Sequence, residues 1–152
     1  MKATMKRRVL LTGGSGYVGR ATANALMKLG HEVHVMGRTD PGIPGVGFHY
    51  ADLLAGEDLA LPIDASGADH LLHLAWSVTP GRFWTDLGNL DWVGASLKLF
   101  RAFVEAGGRR IVGVGSCAEY AWNSSPLKET VSELDPATLY GAAKANLWRL
   151  LD

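Results

Sequence analysis

The stretch Thr12-Gly13-Gly14-Ser15-Gly16-Tyr17-Val18-Gly19 sets four glycines between two segments of different character. Ahead of it, Arg8-Val9-Leu10-Leu11 reads as a short buried strand. After it, Tyr17, Val18, Ala21, Ala25, Leu26 and Leu29 recur at helical spacing and stop at Gly30. Glycine is needed where φ is positive or where another group must approach the backbone closely, so a cluster this dense at a strand-to-helix turn restricts the folds available. The helix start leaves N–H groups unpaired, which suits a phosphate. Two registers fit a dinucleotide cradle, Gly14-x-Gly16-x-x-Gly19 and Gly13-x-x-Gly16-x-x-Gly19. The glycines alone do not choose between them, and a turn without a ligand competes with both.

The rest of the chain repeats the strand-helix alternation. His31 to Arg38 alternates like a strand, Thr39 to Gly47 has the glycine and proline density of a loop, and a short strand follows within Gly47 to Leu53. A loop or short helix leads to Gly67, and Asp69 to Leu74 is a buried run. Asp86 to Gly107 carries a helical stripe of Leu90, Val93, Leu97, Phe100, Arg101 and Val104. Arg109 to Gly115 is rich in β-formers, and Pro136 introduces a last helix from Ala137 to Leu151. Strands joined by helical crossovers predict an α/β, doubly wound parallel sheet of five strands, ordered 3-2-1-4-5 in the dinucleotide-binding pattern.

Composition narrows the function classes. A chain of 152 residues with 47% hydrophobic side chains supports one domain with a sizeable core. No apolar stretch approaches the roughly 18 residues of a membrane helix, and the run after Lys6-Arg7-Arg8 is too short for a secretory signal, which suggests a cytoplasmic chain. Fifteen basic side chains balance fifteen acidic ones, with no basic stripe interleaved with aromatics, so nucleic acid is a poor partner. Cys117, the single cysteine, excludes an internal disulfide and reads as a small buried apolar residue. No metal site is expected: His70 and His73 sit at an odd spacing on a strand and point to opposite faces.

Five ordered landmarks, Thr12 to Gly19, Ala51-Asp52-Leu53, His73-Leu74-Ala75-Trp76, Val114 to Tyr120 and Tyr140-Gly141-Ala142-Ala143-Lys144, resemble the extended short-chain dehydrogenase/reductases, the NAD(P)-dependent epimerase/dehydratase family. The resemblance spans almost the whole chain and favours the Gly13, Gly16, Gly19 register, with the N–H groups around Tyr17 and Val18 as pyrophosphate donors. It implies that Asp52 bonds the adenine amino group with Leu53 beside the ring, and that Leu74, Ala75 and Trp76 border the cofactor. It further implies a catalytic group of Ser116, Tyr140 and Lys144, in which Ser116 orients a carbonyl or alcohol, Tyr140 is the acid or base and Lys144 also holds the nicotinamide ribose.

Tyr140 and Lys144 lie four apart on a helix and so share a face. A cation about 4 Å from a phenol, at an effective dielectric near 20, contributes roughly 4 kcal/mol toward its ionisation. NAD-dependent relatives usually carry an acidic residue near the ribose 2′-hydroxyl, where this chain has Gly37 and Arg38. An arginine attracts a 2′-phosphate, so NADP is the expected cofactor, with NAD as the alternative. Trp76, Phe83 and Trp84 read equally as pocket walls or as cover for a core edge. Trp92 and Trp148 read as packing residues, and Asn89 matches a family asparagine with a structural role.

The expected function is hydride movement at a carbinol or carbonyl carbon, of a nucleotide sugar for instance; the alternative is a non-catalytic dinucleotide-binding or sensing module. Residues 1–152 are expected to form the NAD(P)-binding domain alone, because family members continue past the Tyr-x-x-x-Lys helix into a substrate-binding region. That leaves the fifth strand as a sheet edge and makes this an incomplete enzyme, a fragment or a chain completed by pairing. Family members commonly dimerise through the long helix and the Tyr-x-x-x-Lys helix.

Overall fold

A computed structural model describes residues 5–122 and 126–151. Its elements run β1 (Arg8–Thr12), α1 (Tyr17–Lys28), β2 (Glu32–Gly37), β3 (Gly47–Tyr50), α2 (Ala60–Ser66), β4 (His70–His73), α3 (Gly88–Glu105), β5 (Arg110–Gly113), a 3₁₀ turn (Cys117–Glu119) and α4 (Leu139–Arg149). The strands form one parallel sheet in the order β3-β2-β1-β4-β5, as the alternation predicts. β1 is central, with Leu10 beside His34 of β2 and Leu71 of β4.

Period-two alternation divides the core between the two faces of the sheet. Leu10, Met36 and Leu71 turn to the face covered by α2, α3 and α4, where they join Ile63, Leu99, Phe100, Phe103 and Leu147. Leu11, Val33 and Val35 turn to the other face and meet Ala23 of α1. At roughly 25 cal/mol per Å² of apolar surface removed from water, the fully buried leucines and phenylalanines each contribute about 1.5–3 kcal/mol.

Both long helices exist where periodicity places them, but rotated about their axes. On α1, Tyr17, Val18 and Leu29 are exposed and the inward residues are Gly19 and Ala23. The helix lies so close to the β1 turn that only small side chains fit beneath it. On α3 the buried line is Asn89, Ala95, Ser96, Leu99, Phe100 and Phe103, whereas Leu90, Leu97 and Val104 of the expected stripe face solvent. Outward Leu90, Leu97 and Val104 lie seven apart among exposed Asp91, Lys98, Arg101 and Glu105, a repeat that imitates a core stripe, while Phe100 of the expected stripe is indeed buried. Two further expectations are corrected. Cys117 is exposed, because in the 3₁₀ turn Ala118 and Glu119 take the inward positions. Trp148 is 46% exposed, the inward face of α4 being Gly141, Ala143, Lys144, Ala145 and Leu147.

One buried polar chain ties the strand ends to α3. Ser96 donates its hydroxyl to the Trp92 carbonyl (2.7 Å), so its oxygen accepts from His73 Nε2 (2.9 Å). His73 Nδ1 then accepts from the Thr12 hydroxyl (2.7 Å), whose oxygen accepts the Ala75 N–H (3.3 Å). Every member is satisfied, which makes the network stabilising rather than costly. Burial holds His73 neutral and pushes its pKa down to about 3, with the Lys144 charge adding to the effect.

A histidine that stays neutral when folded but takes a proton near pH 6.5 when unfolded destabilises the fold as pH drops from 6.5 toward 3. This group alone should lower stability by about 2 kcal/mol between pH 7 and pH 5. Urea unfolding at the two pH values checks it. A His73→Leu variant should be less stable at pH 7 yet lose less on acidification, and an unchanged pH slope would contradict the assignment.

Candidate active site

The glycine turn is built by three close approaches. Gly13 adopts φ +71°, and a Cβ there would lie 2.8 Å from the Ala75 backbone nitrogen. Gly14 rests against the Val35 side chain, and Gly19 has the Gly13 carbonyl so near that no side chain fits. Those glycines are needed to fold the turn. Gly16 differs: a Cβ there would meet only the Gly13 carbonyl, at an ordinary 3.4 Å. It caps α1 without any side-chain hydrogen bond, and the open first turn of the helix faces a cleft. Glycine at this position leaves room that packing does not claim, as a pyrophosphate approaching the backbone needs.

The cleft holds about 440 Å³ and lies beyond the carboxyl ends of β1, β2 and β4, where the strand order reverses. Every residue expected to touch a dinucleotide lines it except Lys144: the glycine turn with Tyr17 and Val18, then Arg38, Asp52, Leu53, Leu74, Ala75 and Trp76. Val35 and Met36 of β2, Ser77 after β4 and Trp92 of α3 also contribute, brought there by tertiary packing that local spacing does not reveal. Asp52 has a turn role as well, its Oδ1 accepting the Leu54 N–H at 3.1 Å. Its other oxygen stands 4.0 Å from the exposed Arg38 guanidinium at the rim. The residues present fit a dinucleotide: an open helix start, apolar walls and a cation at the lip.

The 3₁₀ turn that follows Ser116 and the helix that carries Tyr140 and Lys144 meet outside this cleft at a second close approach. Gly141 has no side chain to hold α4 away, and the Ala118 carbonyl of the 3₁₀ turn lies directly against it. That contact sets the helix bearing Tyr140 and Lys144 on the turn capped by Ser116. The Ser116 Oγ accepts the Ala118 N–H at 3.2 Å, which leaves its hydroxyl proton to be donated elsewhere. Tyr140 sits among aromatic edges, with Phe83 at 4.9 Å, Trp84 at 5.9 Å and Trp76 at 6.4 Å between ring centroids, and its N–H donates to the Trp84 carbonyl.

Trp76 joins cleft and group. Its indole N–H donates to buried Asn89 Oδ1 at 2.9 Å, its ring stacks on Trp92, and the Lys144 ammonium stands 4.5 Å over its face. The Lys144 ammonium thus makes a cation–π contact with Trp76. Lys144 is only 7% exposed, and an aromatic face compensates a buried ammonium where water does not reach. Burial pushes the Lys144 pKa down, opposed by the Glu119 charge. Trp76 and Trp92 therefore both pack on the core and line the cleft, whereas Phe83 and Trp84 do neither and pack on each other and on Tyr140.

Glu119 is the site residue that sequence reasoning missed. Only 3% exposed, it accepts the Ser116 N–H at 2.6 Å and completes a reciprocal cap with Ser116. The signal was present as Ser-x-x-Glu, the capping-box spacing. Among the described residues no cluster suited to a metal ion occurs, and no helix is long and apolar enough to cross a membrane.

Comparison with known proteins places this geometry. The NAD dependent epimerase/dehydratase family matches residues 9–152. A UDP-glucose 4-epimerase of Streptomyces lividans is 29% identical over 92% of this chain and 45% of its own length. A dTDP-6-deoxy-L-talose 4-dehydrogenase (NAD(+)) of Aggregatibacter actinomycetemcomitans is 28% identical over 90% of this chain and 51% of its own. The chain therefore spans about half the length of these relatives. The structure of UDP-glucose 4-epimerase from Brucella ovis in complex with NAD superposes with a TM-score of 0.81 at 24% identity, over 94% of this chain and 46% of that one, which speaks for the fold. With a match over nearly its whole length, a glycine turn at the β1–α1 junction and the 3-2-1-4-5 sheet, the chain belongs to the NAD-dependent epimerase/dehydratase family of extended short-chain dehydrogenase/reductases.

Proposed function

We propose that this chain is the cofactor-binding half of an NAD(P)-dependent enzyme that moves hydride at a carbinol or carbonyl carbon of a nucleotide sugar. The observation that carries the reading is the junction at Trp76, one side chain that lines the glycine-turn cleft and touches both Tyr140 and Lys144. The names of the two curated relatives, one acting on a UDP-sugar and one on a dTDP-sugar, support the substrate class. A bound nicotinamide would supply the hydride acceptor or donor. Tyr140 then exchanges a proton with the substrate oxygen, Ser116 donates a hydrogen bond to that oxygen, and Lys144 supplies positive charge beside the phenol and the ribose. Asp52 and Leu53 hold the adenine end, and the open amides at Tyr17 and Val18 take the pyrophosphate. The rest of the substrate site lies with the region that relatives carry beyond this half.

NADP is the proposed cofactor of choice, on the strength of Arg38. Its side chain is 68% exposed at the cleft rim, and Gly37 beside it offers no carboxylate to repel a 2′-phosphate. The solved Brucella relative carries NAD, and the NADP preference proposed for this chain rests on Arg38 alone. The partner we propose is a second copy of the chain, paired through α3 and α4, which expose Leu90, Leu97 and Val104 on the one and Trp148 on the other.

Two measurements test the reading. Replacing Arg38 by Ala should weaken NADPH binding about ten- to hundredfold, the worth of one charge-assisted contact, and leave NADH within a few-fold. Equal affinities of the parent chain for both nucleotides would overturn the preference. For the chemistry, the chain joined to the C-terminal half of a relative should transfer hydride with a UDP- or dTDP-sugar. Tyr140→Phe in that protein should cut the rate by about 10² to 10⁴ while cofactor affinity holds, and an equally active variant would remove Tyr140 from the mechanism.

A further inference from the structure

The glycine-turn cleft and the group on α4 are separate spaces. Tyr17, Val18, Arg38, Asp52 and Leu53 line the cleft, whereas Ser116, Tyr140 and Lys144 do not. What stands between them is the Trp76 indole. It borders the cleft, carries the Lys144 ammonium 4.5 Å from its ring centroid, and meets the Tyr140 ring edge-to-face at 6.4 Å. The indole is also held from behind. Its N–H donates to Asn89 Oδ1 at 2.9 Å, it stacks on Trp92, and Asn89 is itself fixed by donating its amide to the Phe83 and Asp86 carbonyls. Chain order then gives the two ends of the cleft different tasks. Arg38 follows β2 and Asp52 follows β3 on one side of β1, while Trp76 follows β4 on the other, with Lys144 beyond it.

Resting on the nucleotide reading of the cleft given above, we propose that Trp76 is a closed partition latched by Asn89, and that behind this partition the cleft is a site for an adenine nucleotide alone. The adenosine and diphosphate of a dinucleotide seat on the Asp52 side and at the open start of α1, and the nicotinamide arm is shut off from Lys144 and Tyr140. Opening the partition requires the indole to give up both the Asn89 hydrogen bond and the Lys144 contact, a charge-bearing face that holds the ammonium away from water. A smaller cavity of about 150 Å³, lined in part by Phe83, Asn89 and Trp92, adjoins the latch and gives the ring somewhere to turn. With the partition closed, a nucleotide that lacks nicotinamide competes with the dinucleotide on equal terms. Trp76 thereby decides which ligand this half of the protein distinguishes.

Calorimetric titration of the full chain tests this by pairing each dinucleotide with the same molecule less its nicotinamide, NADH with ADP-ribose and NADPH with 2′-phospho-ADP-ribose. In the parent the two affinities of each pair should agree within about threefold. In Trp76→Ala the ratio should move toward the dinucleotide by about tenfold or more, the worth of one charge-assisted bond from Lys144 to the ribose. A parent that already prefers the dinucleotides by that margin, or a Trp76→Ala protein whose ratio has not moved, would overturn the partition and leave the cofactor reading standing. Binding of none of the four would instead remove the cofactor reading, and the adenine-nucleotide site with it. Should Trp76→Ala fail to fold, Trp76→Phe decides. It keeps an aromatic ring and loses the N–H bonded to Asn89, so the ratio should move in the same direction, and an unmoved ratio would again overturn the proposal.

Discussion

The structure depends on two places where backbone meets backbone with no side chain between them. At the first, Gly19 sits against the Gly13 carbonyl, which draws the start of α1 down onto the end of β1. At the second, Gly141 sits against the Ala118 carbonyl and draws α4 onto the 3₁₀ turn. A methyl group at either place forces two rigid elements apart, and close-packed interiors have little slack to absorb that. The first contact opens the helix N-terminus onto the cleft, and the second brings Ser116, Tyr140 and Lys144 to one region. The cleft and the setting of the proposed reactive group thus both follow from omitted side chains.

The parts are then joined by polar groups that the core would otherwise reject. The chain from Ala75 through Thr12, His73 and Ser96 to Trp92 fixes the ends of β1 and β4 to α3, while Asn89 on the same helix holds the Trp76 indole. Because every member has a partner, these bonds specify one arrangement of the strand ends. Trp76, pinned at its nitrogen and stacked on Trp92, gives Lys144 a fixed surface to rest on. Geometry at the cleft is therefore set by buried hydrogen bonds behind it.

Much of this was legible in the sequence because the strongest signals were local. The glycine turn, the strand runs and the Tyr-x-x-x-Lys pair depend on neighbours a few residues apart, and they gave the sheet order and the cleft lining. What failed depended on rotation or tertiary contact. Leu90, Leu97 and Val104 of α3 repeat outward among charged residues while Phe100 of the same expected stripe is buried, so the periodicity mixed the two faces. Cys117 had a buried character by type, yet in a three-residue turn the inward places go to Ala118 and Glu119. Trp76, the aromatic beneath the Lys144 ammonium, comes from β4's end, far away in sequence, so no local spacing pointed to that contact. Glu119 was overlooked although its spacing from Ser116 was in plain view.

Gly19 leaves room for the fold, and Gly16 is proposed to leave room for a ligand. Gly16→Val and Gly19→Val separate the two. By circular dichroism and thermal unfolding, the Gly16 variant should keep the parent's structure and the Gly19 variant should be strongly destabilised. Calorimetric titration with NADPH and NADH should then detect binding to the parent and none to the folded Gly16 variant. A Gly16→Val protein that binds either nucleotide as tightly as the parent would contradict the account.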